Sequence, residues 1–186
     1  MVELRDRNDP SQIIASKAAL LNSYGGIIEP ATFMSPIYFN VVPDRYLIVV
    51  RHRNHLGLAK VDPACLCSAP TVPYLNSLTT GAVYGEAGTY TSPSSSISYQ
   101  TLWPGNVVWD SPVQKVKYTG TNNDRDAILT AVGGATPTAT VTGYRMEDVN
   151  LDGVVRYTGV DNDRDIILQT IGGVVPTATR AEQMPE

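Results

Sequence analysis

A 25-residue segment near the C-terminal end of the chain occurs twice. Residues 116–140 read VKYTGTNNDRDAILTAVGGATPTAT, and residues 155–179 read VRYTGVDNDRDIILQTIGGVVPTAT. The two segments are offset by 39 residues and are identical at 16 of their 25 positions. A repeat of this period is typical of small supersecondary units that bury their apolar faces against one another. The C-terminal part is therefore expected to be a repeat array rather than one continuous core.

Each copy places NDRD before a short apolar run and a glycine pair. The runs are AIL at 127–129 and IIL at 166–168. The aspartate directly before each run, Asp126 or Asp165, predicts a helix N-cap, and the glycine pair predicts the C-terminal end of the helix. Helices of about two turns are marginal alone. We therefore expect them to be stabilised by each other or by a bound cation.

The second copy is preceded by an alternating acidic loop, DVNLDGVV, at residues 148–155. Calcium takes six to eight oxygen ligands, and side chains at alternate positions of a tight loop can converge on one ion. The pattern predicts a Ca2+ site in which Val155 closes the apolar core behind the loop. Its expected ligands are the side chains of Asp148, Asn150 and Asp152 and the backbone carbonyl of Val154.

The carboxylate that closes this loop is not at the usual position. Position 12 of a simple EF-hand-type loop is Gly159 here, so Asp163 or Asp165 is expected to complete the shell after an insertion. A second interpretation is that Asp161, Asp163 and Asp165 form an alternating triplet that holds an ion of its own. The simplest alternative is an acidic turn without an ion, in which the carboxylates would repel one another.

The first copy is degenerate ahead of its helix. The stretch GNVVWDSPVQKVKY at 105–118 is three residues longer and has Gln114 where the second copy has Gly153. Whether this copy binds calcium is open. Arg125 and Arg164 are expected to clamp neighbouring carboxylates or carbonyls. The candidate ligands of the first copy are Asn106 and Asp110 upstream, and Asn122, Asp124 and Asp126 downstream.

The N-terminal half has the pattern of β-structure. VELRD at 2–6 alternates apolar and polar residues, and RYLIVVRHRN at 45–54 is the strongest strand pattern in the chain. Short strands at about 10-residue spacing predict a small antiparallel sandwich. A strand that starts at residue 2 is expected to lie at a sheet edge with a neighbour missing. We predict a mainly β chain with short helices, with an Ig/prealbumin-like β-sandwich at 1–88, a Ser/Thr-rich linker at 89–104, and repeats at 105–186 (copies near 105–143 and 144–182).

Charge and hydropathy exclude some partners. The formal net charge is −4 at pH 7 and no basic cluster is present, so nucleic acid and anionic membranes are not expected partners. No apolar run reaches the ~20 residues that a membrane-spanning helix needs. MVELRDRND has no apolar signal segment, so we expect a processed or C-terminal portion of a longer protein.

The cysteines and histidines offer little chemistry. Cys65 and Cys67 form a C-x-C pair that is poorly placed for a mutual disulfide, so we expect free thiols, with an intermolecular disulfide as the alternative. His52 and His55 are expected to point to opposite faces of one strand, which makes joint metal ligation awkward. No G-x-S-x-G, P-loop or HExxH fingerprint is present. The sequence therefore does not predict an enzyme.

The repeats resemble a known class of module. D-x-N-x-D-G-x-V followed by a short apolar helix, in tandem, resembles the dockerin type of calcium repeat. The chain is more similar still to a module at the C-terminal end of large secreted and cell-surface proteins of the Bacteroidota. There DVNxDGxVKYTGxNNDRDxILxxIGGxxPT also comes in pairs, and VELRD, YLIVVRHRNHLG and TRAEQMP have counterparts. The resemblance is most specific over residues 105–182 and implies a β-sandwich ahead of the repeats in a secreted, non-catalytic, multidomain protein.

Together these patterns predict a calcium-stabilised extracellular or cell-surface structural protein. It is expected to self-associate into an oligomer, filament or surface assembly, by strand addition at an open sheet edge. The alternative is a calcium-dependent adhesion or docking module that binds another surface protein or a glycan.

Overall fold

The computed structural model describes residues 1–21, 26–33, 37–67, 83–91, 98–110 and 112–185. It is mainly β with two short helices, which confirms the predicted class. No helix in this part of the chain is long and apolar enough to span a membrane. The chain divides into two compact units. One comprises residues 1–51, 57–101 and 183–186, and the other comprises residues 52–56 and 102–182.

The first unit is built on a five-stranded sheet in which β1 is central. The strand order is β2-β1-β5-β6, and β7 also pairs with β5. Two short ribbons, β3 with β4 and β8 with β9, complete the described strands of this half. The strands are β1 (Val2–Asp6), β2 (Ile13–Lys17), β3 (Leu20–Leu21), β4 (Ile27–Ile28), β5 (Asp44–His52), β6 (His55–Ala59), β7 (Ala64–Leu66), β8 (Gly88–Thr91) and β9 (Ser98–Thr101).

The position of β1 corrects the expectation of an edge strand at residue 2. Leu4 lies opposite Ala15 of β2 on one side and opposite Ile48 of β5 on the other. β1 was expected at an edge because little chain precedes it, but the chain returns to cover that side as β2. Among the described strands, one end of the strand order is therefore β2, where Ile13 and Ile14 are exposed.

The two faces of β1 are both buried, with different chemistry. Val2 and Leu4 join Ile48 in an apolar cluster. On the other face Glu3 is 2% exposed. Its carboxylate accepts hydrogen bonds from Arg5 Nε and Nη2 at 3.0 and 2.8 Å and from Arg51 Nε at 2.8 Å. Such charge-assisted bonds offset part of the cost of burying a carboxylate.

The cysteine pair and the predicted linker both lie in this half of the chain. The structure joins Cys65 to Cys67 in a disulfide across Leu66, so the expectation of free thiols is wrong. Strand alternation places both side chains on one face, which brings the sulfurs together rather than apart. The centre of the predicted linker, residues 92–97, lies outside the described residues, and β8 pairs with β9 on either side of it.

The second unit interleaves the two repeats. Its elements are β10 (Lys115–Lys117), α1 (Asp124–Ala131), β11 (Thr140–Thr142), β12 (Val154–Arg156), α2 (Asp163–Thr170) and β13 (Thr179–Ala181). β10 of the first copy pairs with β13 of the second, and β12 of the second copy pairs with β11 of the first. α1 packs against α2. The copies therefore exchange strands reciprocally, and neither closes its own sheet.

Side-chain contacts repeat this exchange at the 39-residue offset. Thr119 Oγ1 donates to the Pro176 carbonyl at 3.0 Å, and Thr158 Oγ1 donates to the Pro137 carbonyl at 3.0 Å. The shared core lies between the helices and strands and includes Val155, as the sequence predicts. Its fully buried side chains are Val116, Ile128, Val155 and Ile167.

The helices begin three residues earlier than predicted. The N-caps are Asn123 and Asn162, whose side chains accept hydrogen bonds from the backbone N–H groups of Asp126 and Asp165. Asp126 and Asp165 were expected to be the caps, but they lie in the first turn, where a carboxylate also favours the helix dipole. Each helix is eight residues long, as expected, and ends before a glycine pair with positive φ.

The tip of the β5–β6 hairpin belongs to the second unit. Arg53 and Asn54 form a two-residue turn between His52 and His55. The expectation that these histidines point to opposite faces is wrong, because the turn folds the chain back between them. Their Nδ1 atoms are 3.0 Å apart.

Candidate metal-binding loops

The loop of the second repeat is folded by its own carboxylate and amide oxygens. Asn150 Oδ1 accepts a hydrogen bond from the Asp152 N–H at 3.0 Å, and Asp152 Oδ1 accepts one from the Val154 N–H at 2.8 Å. Asp148 Oδ2 accepts from the Gly153 N–H at 3.2 Å, and Gly153 has a φ of 86°. These Asx-type bonds turn the chain tightly at each predicted ligand.

Asp148 is the most unusual group in this loop. The residue is 3% exposed, and its Oδ1 is buried and accepts no hydrogen bond from the described residues. Its other oxygen, Oδ2, lies 3.5 Å from Nη2 of Arg53, and the Arg53 guanidinium stacks over the Tyr144 ring at 3.7 Å. A buried carboxylate oxygen without a donor costs free energy, and a cation is one partner that would remove this cost.

Asp163 fastens the loop to the helix that follows. The side chain is fully buried. Its Oδ1 accepts from the Val149 and Asn150 N–H groups at 2.8 and 3.3 Å, and its Oδ2 accepts from the Arg156 N–H at 2.7 Å. Burial raises the pKa of Asp163, while the three N–H bonds lower it. Both oxygens are therefore already bonded to the backbone of the loop that Asp163 was expected to close through an ion.

The other acids of the triplet take separate positions. Asp161 is exposed, has a φ of 54°, and its carbonyl accepts from Asn150 Nδ2 at 2.8 Å. Asp165 Oδ1 accepts from Arg164 Nε and Nη2 at 3.2 and 3.0 Å, and its Oδ2 accepts from Asn162 Nδ2 at 2.9 Å. The bond from the Asn162 side chain lowers the pKa of Asp165, burial opposes this shift, and the bonds and charge of Arg164 lower the pKa further. The structure thus does not bring Asp161, Asp163 and Asp165 together around one point.

Arg125 and Arg164 behave as the sequence predicts. Arg125 Nε and Nη2 donate to Asp126 Oδ1 at 3.0 and 2.8 Å, matching the pair formed by Arg164 and Asp165. Both arginines clamp the next carboxylate along the chain, which confirms the expected role. Their guanidinium groups also lie 5.2 Å from the ring centres of Tyr118 and Tyr157, respectively.

The first repeat keeps the buried aspartate that holds its upstream loop, but it does not keep the acidic pattern of the second loop. Asp124 is fully buried, and its Oδ1 accepts from the Val107 and Val108 N–H groups at 2.7 and 2.8 Å. Its Oδ2 accepts from the Lys117 N–H at 2.7 Å. Burial raises the pKa of Asp124 to about 6, although these N–H bonds and the Lys117 charge oppose the rise. The bonding pattern is that of Asp163 in the second copy.

These matching bonds align the two upstream loops at an offset of 42 residues. Asn106 then corresponds to Asp148, Val108 to Asn150, and Asp110 to Asp152. Asn106 is 1% exposed, and its Oδ1, like Asp148 Oδ1, is buried and accepts no hydrogen bond from the described residues. The middle ligand position of the first copy is therefore a valine.

A lysine lies at the carboxylate that remains in the first loop. Lys117 Nζ is 3.0 Å from both oxygens of Asp110 and 3.4 Å from the Thr121 carbonyl. Asn122 lies downstream with a φ of 53°, as Asp161 does in the second copy, and Asp126 pairs with Arg125 on the helix. The predicted ligands of the first copy thus take different positions: some lie in the upstream loop, Asp124 bonds to the backbone of that loop, and Asp126 lies on the helix.

Asn54 is a site residue that the sequence patterns did not reveal. Its side chain is fully buried, and its Nδ2 donates to the Met146 and Asp148 carbonyls at 2.9 and 2.6 Å. The backbone carbonyl of Asn54 accepts hydrogen bonds from the Gly105 and Asn106 N–H groups, both at 3.0 Å. One turn residue therefore holds the entry of both upstream loops. The signal available in the sequence was HRNH at residues 52–55, and it indicates a turn rather than a site residue.

The donor set of the second loop fits calcium in part. No group of three or more His, Cys, Asp or Glu side chains in the described part of the chain lies together in a way that could hold a metal. Calcium, however, also takes amide and backbone carbonyl oxygens. The set of Asp148, Asn150, Asp152 and the Val154 carbonyl uses both kinds. The buried oxygen of Asp148 is the observation that favours the fit.

No protein-family model, curated protein or solved structure matches this chain. The resemblance to dockerin-type repeats, and the closer one to the Bacteroidota module that is most specific over residues 105–182, therefore stay predictions from the motifs alone.

Proposed function

We propose that the second repeat binds one Ca2+ through the side chains of Asp148, Asn150 and Asp152 and the Val154 carbonyl. The observation that carries the proposal is the buried Oδ1 of Asp148, which accepts no hydrogen bond from the described residues. The Asx-type bonds of Asn150 and Asp152 support it, since they turn the loop tightly without using every lone pair. Water molecules would supply the remaining ligands.

The local charge argues for weak binding. Arg53 lies 3.5 Å from Asp148, and Arg156 forms an ion pair with Asp152. These two positive charges offset the two carboxylates, so the loop would attract a divalent cation less than an EF-hand with four free acids. We expect affinity in the range of extracellular calcium modules, with a dissociation constant of about 0.1–1 mM. Arg156 would have to share Asp152 with the ion.

In the first repeat, the position of Lys117 supports a loop that closes without calcium. Its ammonium group contacts Asp110, at the position that matches Asp152. A resident positive charge at the single remaining carboxylate favours closure of this loop without calcium. We therefore propose one structural calcium ion per chain, held by the second copy.

The proposed role of the ion is a structural staple. Calcium that binds only the folded state, at ~100 times its dissociation constant, would stabilise the chain by roughly 2.7 kcal/mol. Loop and helix are already joined by Asp163, so the ion would strengthen an existing loop rather than create it. The unit should remain folded when calcium is removed, but melt earlier.

The test is a pair of matched variants. Asp152→Asn removes a proposed ligand charge in the second loop, and Asp110→Asn makes the same change at the matching position of the first. Calorimetric titration should give one Ca2+ per chain for the wild type and for Asp110→Asn, with binding weakened at least tenfold in Asp152→Asn. The rise in melting temperature with calcium should follow the same pattern. An unchanged melting temperature on addition of EGTA to the calcium-loaded chain would refute the staple.

We further propose that the protein is a non-catalytic, extracellular or cell-surface structural protein that self-associates. The exposed end of the sheet supports this, since β2 carries Ile13 and Ile14 at 51% and 38% exposure. An apolar edge strand invites pairing with another copy, and a lysine on such a strand opposes it. Sedimentation of the wild type in calcium at high concentration should reveal oligomers that Ile14→Lys abolishes. A wild type that stays monomeric would contradict self-association.

The proposed fold of the first unit is an Ig/prealbumin-like sandwich, like the module in secreted Bacteroidota proteins that the sequence resembles. The apolar face of the sheet supports it, because Leu4 and Ile48 pack with Ile37, which lies outside any strand. A second layer on that face is what a sandwich requires.

The alternative function is calcium-dependent adhesion or docking to another protein or a glycan. An asymmetry between the copies favours it. Val160 and Val174 of the second copy are both 84% exposed, whereas the matching residues of the first copy are Thr121 and Ala135. Binding to a candidate surface that needs calcium, and that Val160→Thr with Val174→Ala removes, would favour docking over self-association.

A further inference from the structure

The two histidines of the chain face each other across the β5–β6 turn. His52 ends one strand and His55 begins the next, with Arg53 and Asn54 between them. Their Nδ1 atoms are 3.0 Å apart, and the rings meet edge-on, with centroids 4.7 Å apart and planes inclined at 83°. Paired residues that flank a two-residue turn project from the same side of a hairpin. The hairpin therefore holds both imidazole nitrogens at close range.

Burial is the main cause that lowers the pKa of both rings, to about 3 for His55, and this favours their neutral forms. A neutral imidazole keeps one ring nitrogen with a free lone pair, and it can present Nδ1 by carrying its proton on Nε2. Metal binding at Nδ1 would therefore require a change of tautomer but no loss of a proton.

The nitrogen separation selects among metals. At a metal–nitrogen distance of about 2.0–2.1 Å, two nitrogens 3.0 Å apart subtend about 91–97° at the ion. Adjacent ligands of a square-planar or tetragonal centre meet at this angle, whereas a tetrahedral zinc site needs nitrogens about 3.3–3.4 Å apart. Copper(II) and nickel(II) favour the tetragonal arrangement with nitrogen ligands, and copper binds most tightly of the divalent first-row ions.

We propose that His52 and His55 form a bidentate imidazole site for a divalent transition-metal ion, with Cu2+ as the preferred occupant. The ion would bridge the two Nδ1 atoms at the hairpin tip, with water at its remaining positions. Asn54 Oδ1 lies 2.8 Å from His55 Nδ1 and is positioned either to join the ion or to retain a hydrogen bond with bound water.

This site differs in chemistry from the proposed calcium loop. Calcium is a hard cation that takes oxygen ligands, while imidazole suits copper, nickel and zinc. The two sites nevertheless meet at Asn54, whose Nδ2 donates to the Asp148 carbonyl at the start of the calcium loop. Cu2+ binding is expected whether or not the calcium loop is filled, so its test does not depend on the calcium proposal.

The experiment titrates Cu2+ into the full chain, prepared without a histidine tag and with excess Ca2+ present. Calorimetry should give one tight Cu2+ per chain, with affinity reduced at least tenfold in His52→Gln and equally in His55→Gln. Electron paramagnetic resonance of the wild type should show coupling of the copper to two imidazole nitrogens. Ni2+ and Zn2+ should compete in that order of decreasing effectiveness for the same site.

Two results would overturn the proposal. One is wild-type affinity for Cu2+ in either single variant, which would place the ion elsewhere. The other is a wild-type spectrum without two imidazole nitrogens, and this readout decides the matter even if a variant folds poorly. The melting temperature of each variant in calcium alone provides the folding control.

Discussion

The buried aspartate that each repeat uses to hold its loop gives the sharpest prediction. Asp163→Asn keeps the size and shape of the side chain but replaces one acceptor oxygen with an N–H2 donor. The wild-type carboxylate accepts three backbone N–H bonds, two at one oxygen and one at the other. In its best orientation the amide keeps the bonds from Val149 and Asn150 and turns a donor toward the Arg156 N–H.

The expected cost follows from that geometry. At least one charge-assisted bond is lost, worth about 1.5–3 kcal/mol, and the Arg156 N–H faces another donor in a site with no exposure. The remaining two bonds lose the charge of their acceptor. Because relief of carboxylate burial offsets part of this, we expect the free energy of unfolding to fall by about 2–4 kcal/mol. Asp124→Asn should cost the same, since its three bonds match.

The assay can be restricted to the unit that contains the repeats. The chain has two tryptophans, Trp103 and Trp109, and both lie in the second unit. Urea unfolding followed by tryptophan fluorescence, in EGTA, therefore reports this unit without interference from the first. The matched control is Asp165→Asn, the same change two residues along the same helix, where the side chain is 48% exposed. It should cost less than about 1 kcal/mol.

One outcome would refute the reasoning about the clamp. If Asp163→Asn unfolds within about 0.5 kcal/mol of the wild type, or if Asp165→Asn costs as much, the three N–H bonds do not hold the loop. A calcium-dependent loss only, absent in EGTA, would instead mean that Asp163 acts as a ligand.

Three further predictions concern the same unit and use the same fluorescence assay. Ile128 and Ile167 are both fully buried, so Ile128→Ala and Ile167→Ala should each lower the free energy of unfolding by about 2–5 kcal/mol. The control, Val160→Ala at an exposed position, should cause no measurable change. Unequal losses for the two isoleucine variants would contradict a core shared by both copies. Asn54→Ala should cost about 2–4 kcal/mol, because two buried carbonyls lose their donor; a smaller loss would mean that the hairpin tip does not hold the loops. Burial raises the folded-state pKa of Asp124 from 3.8 to about 6, so folding takes up a proton between pH 3.8 and 6. The stability that this proton uptake contributes is fully present below pH 3.8 and is lost as the pH rises through 6. The stability difference between wild type and Asp124→Asn should therefore shrink from pH 5 to pH 7.5.

The local features of the repeats were predictable from sequence. The spacing of apolar residues and glycines located two short helices and placed Val155 in the core. The predicted N-caps were wrong because NNDRD offers several residues that cap helices well. Only the packing of the helix against the core selects Asn123 over Asp126.

The long-range features were not predictable from a single sequence. Asn54 bonds to carbonyls 92 and 94 residues away, and no local pattern reports contacts of that separation. The backbone bonds of Asp163 could not be predicted for a similar reason. An acidic residue beside a calcium-type loop indicates a ligand by spacing alone, whereas its three N–H donors come from backbone that the spacing does not describe. The histidine pair was missed because strand alternation was applied across a turn.

The reciprocal exchange explains how a degenerate copy can serve beside an intact one. β12 of the second copy pairs with β11 of the first, and β13 of the second copy pairs with β10 of the first. Loss of the first copy would thus expose strands of both. The first copy needs its buried aspartate, Asp124, and its core side chains, and in its loop the ammonium group of Lys117 lies at Asp110. The duplicated segment is therefore a packing unit first, and only the second copy retains the full D-x-N-x-D-G pattern of the proposed calcium loop.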